Sequence, residues 1–218
     1  MTQRILVINP NSNREVTAAL DRVVDSLRFA DGPAIACVTL EEGPAGIETQ
    51  RHVDQVVGPL CALIAREDNA SAAFVIACFG DPGLGSALET TNRPVFGICQ
   101  AGVTTALNHG EKVGILTNIA ADVNPGLRQM RSLGLEARIA GIEPIGIPVT
   151  GLGEAEPSRK ALVAAALRLK DRGAEVLITG CAGMTPYKHD IEAASGLKVI
   201  DPTHAAVGMA ITAVRAGH

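Results

Sequence analysis

Two cysteines in the sequence have closely similar surroundings. Cys78 ends an apolar run in FVIACFGDPG, and Cys181 ends a second such run in VLITGCAGMTP. In each segment a glycine stands two residues after the cysteine, and a polar residue followed by proline comes soon after. A thiol has an ordinary pKa of about 8.5, and backbone N–H donors or a helix N-terminus lower it. The pattern therefore predicts two reactive thiols, each at the end of a strand.

Two thiols can move a proton through one carbon atom. Inversion of a stereocentre through its acidic hydrogen needs a base on one face and an acid on the other, and the two exchange roles in the reverse direction. A thiolate and a thiol meet this requirement. We expect backbone N–H groups near Gly80 and Gly183, with the helix starts that follow, to lower both thiol pKa values and to hold the anion formed.

The elements that must position these thiols can be read from hydrophobic patterning. Runs of four to eight apolar residues alternate with longer amphipathic stretches, which is typical of parallel sheets covered by helices on both faces. The sequence predicts an α/β fold. The strands are expected at 4–9, 35–40, 72–78, 95–99, 112–118, 137–142, 175–181 and 198–201, and the longer helices at 13–27, 47–67, 123–134, 157–173 and 204–217.

An internal repeat organises these elements into halves. RILVINPNS parallels KVGILTNIA, the two cysteine segments parallel each other, and RPVFGICQAGVTTAL parallels LKVIDPTHAAVGMAI, all in the same order. The repeat predicts two similar lobes, 1–110 and 111–218, related by a pseudo-two-fold, with the last helix able to pack across them. Because ligands bind beyond the carboxyl ends of parallel strands, we expect a cleft between the lobes that Cys78 and Cys181 enter from opposite sides. Asn9 and Asn118 are predicted to end matching strands.

The overall composition narrows the class of partner. The 218 residues are 47% hydrophobic and 19% charged, with net charge −4 and only 2% aromatic residues. A chain with no basic cluster and few aromatic residues lacks the surface that nucleic acid requires. No apolar run approaches the ~20 residues of a membrane span, and the start of the sequence has no signal-peptide pattern. We expect a cytoplasmic protein with a small-molecule partner, no nucleic acid and no membrane.

The remaining cysteines and the histidines favour structural roles. The five cysteines show no CxxC spacing, so neither a disulfide framework nor a zinc site is indicated. Cys37, Cys61 and Cys99 are interpreted as core residues. The histidines form no metal-ligand spacing, and we expect no metal. Nucleotide binding is also disfavoured, because neither GxGxxG nor a Walker lysine is present.

Several polar residues are interpreted as helix caps. Ser12 with Glu15 fits a capping box, while Asp81 and Thr185 each precede a proline that suits a first helical turn. For Asp81 the capping role is favoured over direct chemistry. For His204 the sequence leaves two roles open, a substrate contact or a surface and capping residue.

Four segments of the sequence resemble those of a known family. ILVINPNS, GPAGIETQ, ACFGDPGL and GCAGM are similar to segments of the hydantoin and allantoin racemases of the aspartate/glutamate racemase superfamily, and the resemblance covers almost the whole chain. It implies a homo-oligomeric, cofactor-independent racemase that acts on a 5-substituted hydantoin or allantoin, with Cys78 and Cys181 as the acid–base pair. The resemblance also implies a pocket lined by Asn9, Phe79, Gly80, Thr117, Asn118, Gly183 and Met184.

Two segments depart from the family pattern and keep alternatives open. VIDPTHAAV at 199–207 replaces a run of small residues, and LTNIAADVNPG at 116–126 lacks an expected arginine. Other activities of the superfamily are aspartate or glutamate racemisation, maleate isomerisation and arylmalonate decarboxylation. An alternative of another class is a non-catalytic protein that binds a small ligand.

Overall fold

The computed structural model describes residues 4–148, 151–152 and 155–217. Within these residues, strands and helices alternate along the chain. The first half contains β1 (Arg4–Asn9), α1 (Arg14–Val24), β2 (Ala34–Thr39), α2 (Gln50–Glu67), β3 (Ala73–Ile76), α3 (Leu84–Thr90), β4 (Val95–Gly97) and α4 (Ile98–Ala106). The second half contains β5 (Val113–Thr117), α5 (Val123–Ser132), β6 (Ile139–Pro144), α6 (Ala155–Asp171), β7 (Val176–Thr179), α7 (Lys188–Ser195), β8 (Lys198–Ile200) and α8 (Pro202–Ala216).

The strands form two parallel sheets with the same topology. The first has the order β2-β1-β3-β4 and the second the order β6-β5-β7-β8. Every residue of β3, β5 and β7 is buried, whereas β2 and β6 lie at sheet edges and are more exposed. Strands buried on both faces are predominantly apolar, which is why they read as nearly continuous hydrophobic runs. The predicted parallel α/β fold is confirmed, and each predicted strand overlaps an observed one.

Each sheet has its own hydrophobic core. In the first, buried residues of β1 and β3 pack with one face of α2, and in the second, residues of β5 and β7 pack with α6. The helices show why they pack this way, since the buried side chains recur at helical spacing. On α2 these are Val56, Leu60, Leu63 and Ile64, and on α6 they are Leu162, Ala165, Ala166 and Leu169.

The chain divides into two compact units, whose bounds differ from the predicted lobes of 1–110 and 111–218. The first unit comprises Met1–Ala101 with Thr203–His218, and the second comprises Gly102–Pro202. The division therefore lies within α4, and all of α8 after its first residue belongs with the first unit.

The strand registers define which residues of the two halves correspond. Ile8 pairs with Ile76 in the first sheet, and Leu116 pairs with Thr179 in the second. Cys78 and Cys181 each lie two residues beyond the paired position, so they are equivalent. The residue that corresponds to Asn9 is Thr117, the last residue of β5. The predicted match of Asn9 with Asn118 is therefore wrong by one residue.

Helix capping also differs from the sequence interpretation. Asn13, not Ser12, caps α1, because its side-chain oxygen accepts the Glu15 N–H at 2.9 Å. Thr185 does not cap α7 but lies inside a 3₁₀ helix, Ala182–Tyr187, that immediately follows Cys181. The sequence shows which regions contain polar residues that can cap a helix. Which N–H group each side chain reaches depends on the conformation of the chain after it.

Candidate active site

Cys78 lies where the chain leaves the first sheet. The Ala77 N–H donates to the Ile8 carbonyl at 2.8 Å, which continues the parallel ladder, and the Asp81 N–H then donates to the Cys78 carbonyl at 2.9 Å and closes a turn. The Cys78 side chain is half-buried, and Gly80 is exposed. A Cβ built at Gly80 meets no heavy atom within 4 Å in the described structure. Packing therefore does not require glycine here, and the space in front of this turn is open.

Asp81 occupies an uncommon backbone conformation and acts away from its own helix. Its φ is 43°, in the left-handed region that Asp tolerates better than most residues. Its carboxylate accepts the N–H groups of Cys99 and Gln100, each at 2.8 Å. These are the second and third residues of α4, so Asp81 caps α4, while the position before α3 is taken by Gly83. The interpretation as a cap is right, but the helix is a different one.

The Asp81 carboxyl is buried, with only 5% of its surface exposed. Burial raises its pKa to about 7, against the lowering effect of the Gln100 and Cys99 N–H groups. Near neutral pH this carboxyl is thus divided between its neutral and charged forms.

Cys181 lies at the corresponding exit from the second sheet. The Gly180 N–H donates to the Leu116 carbonyl at 2.8 Å. A Cβ at Gly180 would come within 2.5 Å of that same oxygen, so only glycine allows this approach. The Gly183 N–H donates to the Cys181 sulfur, as expected from the sequence. A Cβ at Gly183 would lie 2.7 Å from Cδ1 of Leu152, so the turn is closely packed.

The predicted lowering of the Cys181 pKa is not found. Burial raises the pKa of this thiol, the Gly183 N–H lowers it in part, and the negative charges of Asp122 and Asp201 raise it further. The N–H donor is present, but desolvation and two nearby carboxylates outweigh it. Near neutral pH the Cys181 side chain is a thiol and can donate a proton.

The polar residues next to the strand ends are tied into local structure. The Asn9 side chain is fully buried, and its Nδ2 donates to Asn11, to the Asn13 carbonyl and to Thr17 at 3.0–3.1 Å. Thr117 donates its hydroxyl to Asp122 at 3.0 Å. These contacts hold the loops that follow β1 and β5. Substrate binding by Asn9, Thr117 and Asn118 stays a prediction; Asn118 is also buried, with its Nδ2 on the Ile147 carbonyl at 3.1 Å.

The other predicted residues occupy different environments. Phe79 is half-buried beside Cys78, whereas Met184 is fully buried in the core of the second unit. His204 hydrogen-bonds through Nε2 to the Val23 carbonyl at 2.6 Å, at the end of α1. Cys99 is fully buried, which matches its interpretation as a core residue.

Within each unit, therefore, the structure groups most of the predicted residues at the carboxyl edge of the sheet. Asn9, Phe79 and Gly80 accompany Cys78, and Thr117, Asn118 and Gly183 accompany Cys181. Sequence reasoning missed Asp122, Thr185 and Asp201 as neighbours in the Cys181 region. The signal available was position, because each follows a strand of the second sheet within a few residues. Among the described residues, no group of three or more His, Cys, Asp or Glu side chains could hold a metal ion, and no helix could span a membrane.

Comparison with known proteins connects this arrangement to one family. The profile of the Asp/Glu/Hydantoin racemase family matches residues 5–210. The chain is 32% identical to a hydantoin racemase of Rhizobium meliloti, over 98% of this chain and 90% of that protein. It is 31% identical to a hydantoin racemase of Paenarthrobacter aurescens, over 99% and 92% of the two chains. The crystal structure of an allantoin racemase from Pseudomonas fluorescens superimposes with a TM-score of 0.91 at 26% identity, covering 99% of this chain and 92% of that one.

The two-sheet α/β fold, with a cysteine at the same strand end in each half, is thus that of a racemase. The chain belongs to the Asp/Glu/Hydantoin racemase family. It is accordingly an isomerase.

Proposed function

We propose that this chain racemises a cyclic ureide, either a 5-substituted hydantoin or allantoin, by proton transfer between Cys78 and Cys181. The observation that carries the proposal is the register of the two sheets, which puts one cysteine two residues beyond the equivalent position of β3 and of β7. The hydantoin and allantoin racemases described above support the substrate class. The assignment of acid–base roles to the two cysteines is our inference.

The proposed chemistry removes one proton from the ring carbon and returns a different proton to its opposite face. The Cys78 thiolate removes the hydrogen from the ring carbon and becomes a thiol, and the electron pair left on that carbon spreads onto the adjacent carbonyl oxygen. The Cys181 thiol then donates its proton to the opposite face of the carbon and becomes a thiolate. For the other enantiomer the two residues exchange roles. Positioned acid–base groups of this kind contribute typically 10²–10⁴-fold in rate.

The electrostatics of the second unit give this cycle a starting state. Because its pKa is raised, Cys181 begins as the thiol, so the enantiomer whose hydrogen faces Cys78 can react directly. When Cys181 becomes the thiolate, the Gly183 N–H on its sulfur stabilises that charge. This hydrogen bond is strongest when it is needed, after the proton has left.

The test is the action of the purified protein on single enantiomers. Polarimetry with 5-substituted hydantoins, allantoin, aspartate and glutamate should show loss of optical rotation only with the cyclic ureides. In D₂O, the ring carbon should gain one deuterium per inversion. Racemisation of aspartate or glutamate instead would show that the protein is an amino-acid racemase of the same superfamily. Tight binding of a ureide with neither exchange nor inversion would mean a binding protein.

A further inference from the structure

A single carboxylate fastens the cysteine turn of the first unit to the next helix. Asp81 lies three residues after Cys78, and its N–H closes the Cys78 turn on the Cys78 carbonyl. The same residue accepts the N–H groups of Cys99 and Gln100, in the first turn of α4, through its carboxylate. The backbone of the Cys78 turn and the start of α4 therefore cannot move independently.

The second unit has a comparable contact, but there the carboxylate belongs to the start of the helix and not to the cysteine turn. Thr185, four residues after Cys181, donates its hydroxyl to Oδ2 of Asp201. Asp201 is buried and directly precedes Pro202, the first residue of α8. Aspartate before proline is a favourable pair at a helix start. Here the carboxylate lies at the helix start, and the cysteine turn reaches to it.

The registers show that these are alternative solutions at one place in the fold. Gly97 pairs with Ile76, and Asp201 is the corresponding residue, since it follows the pairing of Ile178 with Ile200. A Cβ at Gly97 would lie 2.5 and 2.6 Å from the carboxylate oxygens of Asp81. The Asp81 carboxylate thus fills the space into which a side chain at position 97 would extend.

We propose that these carboxylates are positioning residues for the two thiols: Asp81 holds the Cys78 turn against α4, and Asp201, through Thr185, holds the Cys181 turn against the start of α8. The inference rests on the proposed two-thiol chemistry. Each thiol must reach one side of the same carbon, so loosening one turn should slow proton transfer on one face only. A displacement of about 1 Å can cost 10²-fold in rate.

The two functions of Asp81, capping and fastening, can be separated by moving its carboxylate. Asp81→Gly removes both and leaves a residue that tolerates positive φ. Adding Gly97→Asp places an acid directly before α4, where it can cap the helix, as Gly97 does not have a positive φ. The double variant cannot fasten the turn, because the equivalent of Thr185 in the first unit is Pro82, which has no hydroxyl.

We expect Asp81→Gly to lower both kcat and the midpoint of thermal unfolding. The double variant should recover the unfolding midpoint but stay about 10- to 100-fold low in kcat. Adding Pro82→Thr rebuilds the arrangement of the second unit and should restore part of the lost kcat. Full recovery of kcat in the double variant would overturn the proposal and leave Asp81 as a helix cap alone.

Isotope effects show which face is affected. The substrate is deuterated at the ring carbon. If the Cys78 turn is loosened, the proton transfer at Cys78 becomes slower than the proton transfer at Cys181. The primary isotope effect should then rise for the enantiomer deprotonated by Cys78 and fall for the other. Thr185→Val should give the opposite asymmetry, whereas Thr185→Ser, which keeps the hydroxyl, should resemble the parent protein. Equal changes for both enantiomers would contradict positioning.

A measurement without substrate separates this proposal from the proposed function. The alkylation rates of Cys78 and Cys181 by iodoacetamide, read by peptide mass spectrometry, need no turnover. The Asp81→Gly/Gly97→Asp variant should change the Cys78 rate severalfold while the Cys181 rate stays constant, and Thr185→Val should do the reverse. If no ureide is racemised, the proposed function fails, yet these ratios still test the fastening. An unchanged Cys78 rate would refute it.

Discussion

The two cysteine turns occupy equivalent places in two sheets of the same topology, yet their surroundings differ. Around Cys78 the turn is open at Gly80 and is closed by Asp81 in a left-handed conformation. Around Cys181 the chain enters a 3₁₀ helix, Leu152 crowds Gly183, and burial together with two carboxylates raises the thiol pKa. The comparison teaches that a repeated fold keeps the place of a cysteine more strictly than the packing and backbone around it. In the reaction we propose, one thiol holds a proton that the other lacks, and the raised pKa of Cys181 makes it the residue that starts with the proton.

The largest effect is expected when either sulfur is replaced. Cys78→Ser and Cys181→Ser should each lower kcat/KM for racemisation by about 10³-fold, because a serine hydroxyl is a far weaker acid than a thiol. The matched control is Cys61→Ser on α2, outside both turns, which should keep the parent activity. Polarimetry with one enantiomer measures all three variants. Full activity in either turn variant would show that the two halves do not share the reaction.

Next in size is the pH dependence of stability that Asp81 introduces. Its pKa is about 7 in the folded protein against 3.8 for the ordinary residue, so between these values the folded state holds an extra proton. The free energy of unfolding contributed by Asp81 is therefore present at low pH and is lost as the pH rises towards 7, by at most about 4 kcal/mol.

Asp81→Asn should remove this trend, since the amide does not titrate. Urea unfolding at pH 5 and pH 8 measures this trend. The free energy of unfolding at pH 8 minus that at pH 5 should be more positive in the variant than in the parent. Glu89→Gln, at an exposed position of α3, is the control and should keep the parent slope. The same slope in the parent and in Asp81→Asn would contradict the buried titration.

The contrast between the open and the crowded turn can be tested with one methyl group. Gly183→Ala should destabilise the protein by about 1–3 kcal/mol, because the added carbon would lie 2.7 Å from Leu152. Gly80→Ala should leave the free energy of unfolding unchanged within about 0.5 kcal/mol, since nothing described lies within 4 Å. Urea titration measures both variants. A loss of kcat/KM in the stable Gly80→Ala protein would show that substrate uses this space; equal destabilisation by both substitutions would abolish the contrast.

The smallest expected effect concerns the alkaline limb of the pH–rate profile. Because Cys181 must be a thiol to donate, and its pKa is raised, kcat/KM should stay high to a pH above the ordinary value of about 8.5. Asp122→Asn removes one of the charges that raise this pKa and should move the limb to lower pH by a fraction of a unit. The asparagine oxygen can still accept from Thr117, so the loop is kept. A limb that moves to higher pH would contradict the assigned cause.

Sequence patterning predicted the strands well because the central ones are buried on both faces. β1, β3, β5 and β7 therefore give short, nearly continuous runs of apolar residues. The repeat was also recognised, but its register was misjudged: residue type matched Asn9 to Asn118, whereas the strand registers make Asn9 equivalent to Thr117. One-residue errors of this kind are expected when only a few residues of a short strand match.

The parts of the candidate site that the sequence could not predict depend on contacts between distant segments. Asp81 was recognised as a cap, but its φ is left-handed and its carboxylate accepts the N–H groups of the second and third residues of α4, which lie 18 and 19 residues further on. The Gly183 N–H donor to Cys181 was also foreseen. The direction of the pKa shift was not, because it depends on burial and on Asp122 and Asp201, which come from two other loops.

The mutual exclusion of side chains at positions 81 and 97 has a consequence for how such a chain can change over generations. Moving the acid from position 81 to position 97 takes two substitutions, so the intermediate protein has either two competing acids or none, and we expect both intermediates to be impaired. The halves are therefore separated by a mutational barrier, although each arrangement is stable by itself. Divergence at this point, once established, is hard to reverse, and drift alone will not make the halves alike again.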